Sequence, residues 1–413
     1  MRIAVIGSGI AGLGCAWLMS RKHDVVLFEC DSKLGGHTHT HDIERFGERY
    51  RIDTGFIVHN RAHYPLLGRL FDELGVATQP TCMSFSVRDD RIGLEYNARN
   101  LDTLFCQRRN LVSPRFWNMV RDIARFYREA PALLHSPDDG PSLGDYLEHN
   151  RYSDLFIEDH LLPMASALWS SPHTQARAFP AKYLVAFMAN HQMLQLSGRS
   201  SWRVVTGGSD RYVQAMSARW GVQVRLACAV RSVRRTATSV LVGTAHGEDA
   251  FDQVVLACHS DQALALLADA SDAEHAVLGA IDYQNNDVVL HTDARLLPRR
   301  KNAWAAWNAH VAGDRSAACS VSYCMNVLQS IQSPEPFVVS LNRGDAIDPQ
   351  RVIARMSYQH PVYSHATIAA QRQRDRINGQ NRTWYCGAYW GFGFHEDGLR
   401  SGVEVANALG VPW

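Results

Sequence analysis

Lysine is scarce in this chain. Lys22, Lys33, Lys182 and Lys301 are the only four in 413 residues, and arginine supplies the remaining positive charge. The formal net charge is +1, so the chain as a whole has no attraction for nucleic acid or anionic lipid, and no nucleic-acid partner is expected. No apolar stretch reaches the ~18 residues that a membrane-crossing helix needs. Nine cysteines, an odd number, occur without any C-x-x-C pair. That argues against a disulfide framework or a zinc site and suits a reducing, cytoplasmic setting. His37, His39 and His41 alternate, as on one face of a strand, but lack metal-ligand spacing, and no metal is expected. Ser-His-Asp and Cys-His arrangements in a context for nucleophilic catalysis are also absent, as are internal repeats. A chain of this length forms one large or two interlocked domains.

What is present begins at the N-terminus. Ile3 to Ile6 is a short β-branched run with the composition of a buried parallel strand. Gly7, Gly9 and Gly12 follow in G-x-G-x-x-G spacing, and a helix is expected from about Ile10 to Arg21, with Ala11 in its first turn. The turn needs Gly7, a pyrophosphate can approach at Gly9, and Gly12 lets helix and strand pack closely. The free N–H groups of the helix start point at that phosphate. A second strand spans His23 to Phe28, and Glu29 ends it, about 20 residues after the glycines, where an acid binds ribose hydroxyls. The order strand, turn, helix, strand, acid reads as an adenine-dinucleotide site, and the glycines and the immediate strand argue that this run is not a removed leader.

A second glycine pair, Gly35 and Gly36, follows the acid in ECDSKLGGHTHT. This resembles the E-x(5)-GG-R/H-x-x-T segment of the flavin amine oxidase superfamily, which includes phytoene desaturases and protoporphyrinogen oxidases. The resemblance implies FAD as cofactor, with His37 and Thr38 in a loop along the diphosphate. Residues 53–58, DTGFIV, match the family's D-x-G strand and imply Thr54, Gly55 and Phe56 beside the flavin ring. Near the C-terminus, WYCGAYWGFGFHEDG resembles the closing segment, in which a second helix start faces the FAD. It implies contacts from Gly387, Phe394, His395, Glu396 and Asp397. Residues 228–233 resemble the strand that brackets the adenine, near Val230, and 251–258 read as the last strand of the cofactor sheet, reaching Ala257. The chain departs from the family pattern at Gly387–Ala388, at Asp397–Gly398 and at His37. The closing wording is similar to that of bacterial flavoproteins akin to the N-terminal flavin domain of plant cyclopropane fatty acid synthases.

The implied fold is α/β: a Rossmann-like FAD-binding domain (1–75, 203–285 and 360–413) interlocked with a substrate domain of antiparallel sheet plus helices (76–202 and 286–359). Residues 64–74 read as a helix, 84–96 as a hairpin and 101–170 as mostly helical. Pro114 to Ala130 is either a core-facing amphipathic helix with a solvated basic edge or a surface that touches anionic lipid headgroups. The aromatic and Met residues between Leu161 and Met193 suit either core or the lining of an apolar tunnel. Strands are expected at 287–292, 320–326 and 337–342, a Pro-turned connection at 358–365, and a helix from Ala366 to Ile377.

The resemblance implies an enzyme that moves a hydride from substrate to flavin, with reoxidation by O2 or a quinone. His395, Glu396 and Tyr389 are the candidate catalytic residues. His395 is a candidate proton carrier because an imidazole titrates near neutrality. An apolar, fatty-acyl or lipid substrate is expected. Amine oxidation is the alternative, and Lys301, the sole lysine placed for it, sits in a surface-like Arg-Arg-Lys context. A further alternative is a flavin-binding accessory protein of a lipid-modifying enzyme.

Overall fold

The computed structural model describes residues 1–169, 173–195, 200–311 and 320–413. Cys319 lies outside them, and the described cysteines are free thiols. Ile3, Ala4 and Val5 are fully buried, as a strand covered on both faces requires. Arg2–Ile6 pairs in parallel with Asp24–Phe28 on one side and Gln253–Leu256 on the other. Val222–Arg225 and Thr383–Tyr385 extend the two flanks, also in parallel. Counted along the chain, the strands lie in the order 3-2-1-4-5, that of a doubly wound dinucleotide fold. The expectation that 251–258 is the last strand is corrected: Gln253–Leu256 is internal, and Thr383–Tyr385 is the edge. A three-residue strand whose partner is far away in sequence leaves no local periodicity to read.

The opening helix, Ile10–Met19, is buried along its whole length. It stops before Arg21 because the N–H groups of Lys22 and His23 both turn back to the Met19 carbonyl. It is apolar all round because it is clamped between the sheet and the closing helix, His395–Ala408. The two helices touch through backbone: a Cβ on Gly402 would lie 2.4 Å from the Ala11 carbonyl oxygen. Each fully buried Leu or Val in this layer contributes about 1.5–3 kcal/mol. The two ends of the chain therefore form one unit, joined beneath the glycine turn.

A second sheet has seven strands, in the order Val352–Pro361, Tyr283–His291, Val338–Leu341, Ser320–Cys324, Trp307–Val311, Phe85–Asp89 and Leu94–Asn97. Its pairings are antiparallel except that of Trp307–Val311 with Phe85–Asp89, which is parallel and corrects the expectation of an antiparallel sheet. Residues 358–365 are not a turn. Val352–Pro361 is a ten-residue edge strand, and Pro361 sits at its end. A missing N–H costs nothing there, so proline is compatible with the strand. The expected helix at 366–377 is shorter, His365–Gln371, followed by a 3-10 turn at Arg374–Arg376. A hairpin unseen in the sequence, Thr40–Arg45 with Glu48–Asp53, precedes the D-x-G segment.

Helices between residues 101 and 190 form a separate core. Pro114–Glu129 buries Phe116, Met119 and Phe126, while Trp117 and Arg121 face outward. Trp169, Phe179, Phe187 and Met188 belong to the same buried cluster, which extends to Phe392 and Phe394.

Candidate functional site

The chain order of the first sheet reverses between Arg2–Ile6 and Gln253–Leu256. Ligands of such sheets bind outside the carboxyl ends of the strands at that point. The glycine turn stands there. Gly7 has φ +103, and a Cβ on it would sit 2.9 Å from the Ala257 carbonyl oxygen. A Cβ on Gly12 would sit 2.0 Å from the Gly7 oxygen, so helix and turn are in backbone contact. Gly9, by contrast, faces open space: a Cβ added there meets nothing within 4 Å. The start of the opening helix has neither a side-chain cap nor an acid in its first turn. Its N–H groups are thus free for an anion, the arrangement a pyrophosphate requires. Gly35 donates to the Ser8 carbonyl at 3.1 Å, which brings Gly36 over Gly9.

Glu29 is buried and oriented. Its Oε2 accepts from the Ser8 N–H at 2.9 Å and the Ser8 hydroxyl at 2.5 Å, and its Oε1 accepts from the Asp31 N–H at 2.9 Å. Cys30 donates weakly to the same Oε1, and burial, followed by Glu29, pushes its thiol up to about 11. The backbone of Ala227 and Cys228 pairs with Asp31 and Glu29. Val230 starts the next strand, paired with Thr244, so the adenine-side segment adjoins the acid.

At the other end, residues 37–39 run beside 54–56. The His37 carbonyl accepts from Phe56 N–H at 2.8 Å, and a Cβ on Gly55 would collide with that carbonyl at 1.9 Å. Only glycine permits this approach. Thr38, Tyr212 and His395 form a hydroxyl–imidazole triangle, with Thr38 Oγ1 2.5 Å from Tyr212 Oη and 3.0 Å from His395 Nε2. The third side, Tyr212 Oη to His395 Nε2, is 3.2 Å. His395 also stacks on Phe56 at 3.8 Å and 11°. Burial, with a smaller effect of His59, pushes the His395 imidazole down to about 3. It is therefore neutral at physiological pH and acts there as a hydrogen-bonding ring. Tyr212 had no motif to announce it; its position just after Gly207–Gly208 was the only signal.

Glu396 and Asp397 are occupied by backbone. Glu396 accepts from the Leu66 and Leu67 N–H groups at 2.9 and 3.0 Å, and so caps the helix Pro65–Leu74. Asp397 accepts from Phe392 and Phe394 N–H and from Arg400. Burial raises both carboxyls. The Tyr389 ring lies over Gly387, where a Cβ would meet it at 2.2 Å, and packs 4.9 Å from Trp390. Gly387 N–H donates to Ser401 Oγ on the closing helix. His37 lies 4.9 Å from Tyr358 and 5.6 Å from His360, whereas His39 and His41 stack on each other at 4.1 Å.

The residues present fit a bound dinucleotide. Besides the open space at Gly9, buried polar atoms without a partner occur at His37 Nε2, just after the Gly36 that lies over Gly9, and at His259 Nδ1, just after the Ala257–Cys258 backbone that touches Gly7. Such atoms are costly when nothing satisfies them. Asp53, the acid of the D-x-G segment, is fully buried, and the sequence had given it no role of its own. It accepts from Thr40, Ser209 and Gln329, tying the D-x-G segment to the Gly207–Gly208 turn, and burial pushes it up to about 6.

Among protein families, the flavin containing amine oxidoreductases match residues 10–326. No curated protein matches the sequence significantly. Similar solved structures include a fatty acid isomerase from P. acnes that produces CLA, with 15% identity, coverage of 99% of both chains and a TM-score of 0.68. Cyclohexylamine oxidase from Brevibacterium oxydans IH-35A has 14% identity, coverage of 99% of this chain and 98% of that one, and a TM-score of 0.71. A candidate protoporphyrinogen oxidase from Exiguobacterium sp. 255-15 has 16% identity, the same coverages and a TM-score of 0.66. At these identities the likeness is one of fold.

Proposed function

The chain belongs to the flavin containing amine oxidoreductase family and is an FAD-dependent oxidoreductase; from that premise we propose that it takes a hydride from an apolar, acyl- or lipid-like substrate. Bound FAD supplies two-electron acceptor chemistry at N5, and O2 or a quinone is the proposed final acceptor. In this reading Gly9, Ile10, Ala11 and Gly12 hold the pyrophosphate, Glu29 the ribose and Val230 the adenine side. Residues 35–38, Thr54, Gly55, Phe56, Ala257, Gly387, Phe394 and His395 surround the flavin half. His395, held by Thr38 and Tyr212, keeps a neutral donor or acceptor beside the ring, and Tyr389 walls it. The same reading assigns 1–75, 203–285 and 360–413 to the cofactor domain and 76–202 and 286–359 to the substrate domain.

The observation that carries the substrate class is an aromatic wall at the start of the closing helix. Phe394 stacks on Phe187 at 4.9 Å, and Phe392 lies 4.8 Å from Tyr183 and 5.6 Å from Phe187. No lysine is directed there. Lys22 and Lys182 donate to backbone carbonyls elsewhere, and Lys33 and Lys301 are exposed. The carboxylates beside this wall, Glu396 and Asp397, are already held by backbone N–H groups and Arg400, and with no lysine on the flavin side this favours acyl groups over amines. The test is anaerobic titration of the holoprotein with long-chain acyl compounds and, separately, with putrescine and cyclohexylamine. Bleaching of the flavin by the acyl series supports the reading. Bleaching by amines alone replaces it with amine oxidation, and bleaching by neither leaves an accessory role.

A further inference from the structure

Single exposed apolar side chains need no explanation, but a cluster of them does. Leu101 is 74% exposed, Leu111 46%, Val112 83% and Trp117 47%, and Ile92 adds 42%. Hydrogen bonds and packing hold these residues on one face. Arg109 donates to the Gly93 carbonyl, docking the Ile92–Gly93 turn on the 3-10 turn Arg108–Val112. Trp117 Nε1 donates to the Leu111 carbonyl at 2.9 Å, and its ring lies 5.1 Å from Phe105, directly after the short helix Leu101–Leu104. The indole is therefore rigid and its N–H satisfied internally, so it can enter an apolar medium without leaving a donor unpaired.

The rim is basic and comes from two distant segments. Arg108, Arg109 and Arg121 are exposed beside the apolar residues. Glu95 accepts from the Arg299 and Arg300 N–H groups at 2.8 and 3.2 Å, which brings Arg299, Arg300 and Lys301 to the same side, with the Lys301–Ala303 turn against Leu101–Leu104. Asp102 answers Arg108, and Asp90 answers Arg299. Among the described residues the others have no carboxylate within 4.0 Å.

We propose that this face docks the protein, peripherally and reversibly, on an anionic lipid bilayer. Leu101, Leu111, Val112 and Trp117 enter the headgroup–acyl boundary, and the arginine rim pairs with lipid phosphates. No described helix is long and apolar enough to cross a membrane. A second copy of the chain is a poor occupant, since a two-fold contact would set like-charged rims against each other. The site is independent of the flavin crevice.

The holoprotein is co-sedimented with phosphatidylcholine vesicles, with and without phosphatidylglycerol. Binding is expected with phosphatidylglycerol, weakening as salt rises. Arg300→Gln lowers the partition coefficient about fivefold, and Val112→Glu lowers it further. Phe46→Glu, at an exposed phenylalanine elsewhere, leaves it unchanged. Flavin content and melting temperature confirm that each variant is folded. Absence of wild-type binding, equal binding by Val112→Glu, or lipid-free self-association that Val112→Glu abolishes would each overturn the proposal.

Discussion

Replacing Gly402 with alanine tests how the two chain ends are held together. The added Cβ would lie 2.4 Å from the Ala11 carbonyl oxygen and 3.3 Å from Cys15 N. Both are backbone atoms inside buried helices and cannot rotate away, so relief requires the helices to part by roughly 1 Å. Helix propensity works in the opposite direction, since alanine is favoured over glycine by about 1 kcal/mol in a helix interior. Overpacking costs about 1–3 kcal/mol, and rigid backbone places this site at the upper end. The net expectation is a loss of about 2 kcal/mol, seen as a melting temperature lower by about 2–4 °C. The start of the opening helix is assigned to the cofactor, so retention should fall as well, about tenfold in Kd for each 1.4 kcal/mol of misalignment. Thermal melting and equilibrium dialysis of FAD measure the two effects. Gly14→Ala is the control, because its Cβ would meet only the end of the Leu399 side chain, which can turn aside. If Gly402→Ala melts at or above the wild-type temperature and keeps FAD, propensity has won and the close approach is not real.

Gly9 has ordinary extended backbone (φ −63, ψ 173) and open space around it, so Gly9→Val should fold normally yet purify colourless, while Trp307→Phe, in the seven-stranded sheet, stays yellow; an absorbance spectrum decides. Burial and then Asp89 raise the Asp159 carboxyl well above the usual carboxylate range. Its folded pKa exceeds the unfolded value of about 3.9, so its bound proton stabilises the fold fully below that value, and this contribution is lost as pH rises toward the raised folded pKa. Asp159→Asn, permanently neutral, should therefore gain on wild type in melting temperature between pH 5 and pH 8, and a constant difference would refute the assignment. Glu396→Ala removes the acceptor of two N–H groups on Pro65–Leu74 and should cost about 1 kcal/mol. Glu396→Gln, which keeps one acceptor oxygen, should recover much of it in the same melt.

Local pattern was enough for the glycine turn, Glu29, the helix ending at Gly75 and the hairpin at 85–97. Each follows from periodicity, a turn residue or a fixed spacing within a few tens of residues. The resemblance placed Gly387 and His395 with the N-terminal motif. It did not predict that Glu396 would cap a different helix, because that contact joins residues 66 and 396. Tyr212 shows the same limit: nothing in its neighbourhood distinguishes it from a packing tyrosine until Thr38 and His395 are brought to it.

What the sequence determined alone was the turn chemistry and the register of polar and apolar faces, because these depend on neighbours along the chain. Only the tertiary structure decided which strand closes each sheet, that Pro361 ends an edge strand, and that Arg299 to Lys301 join the apolar face at Leu101 and Val112. Those outcomes depend on backbone hydrogen bonds and close contacts between segments hundreds of residues apart, and no local pattern encodes such a pairing.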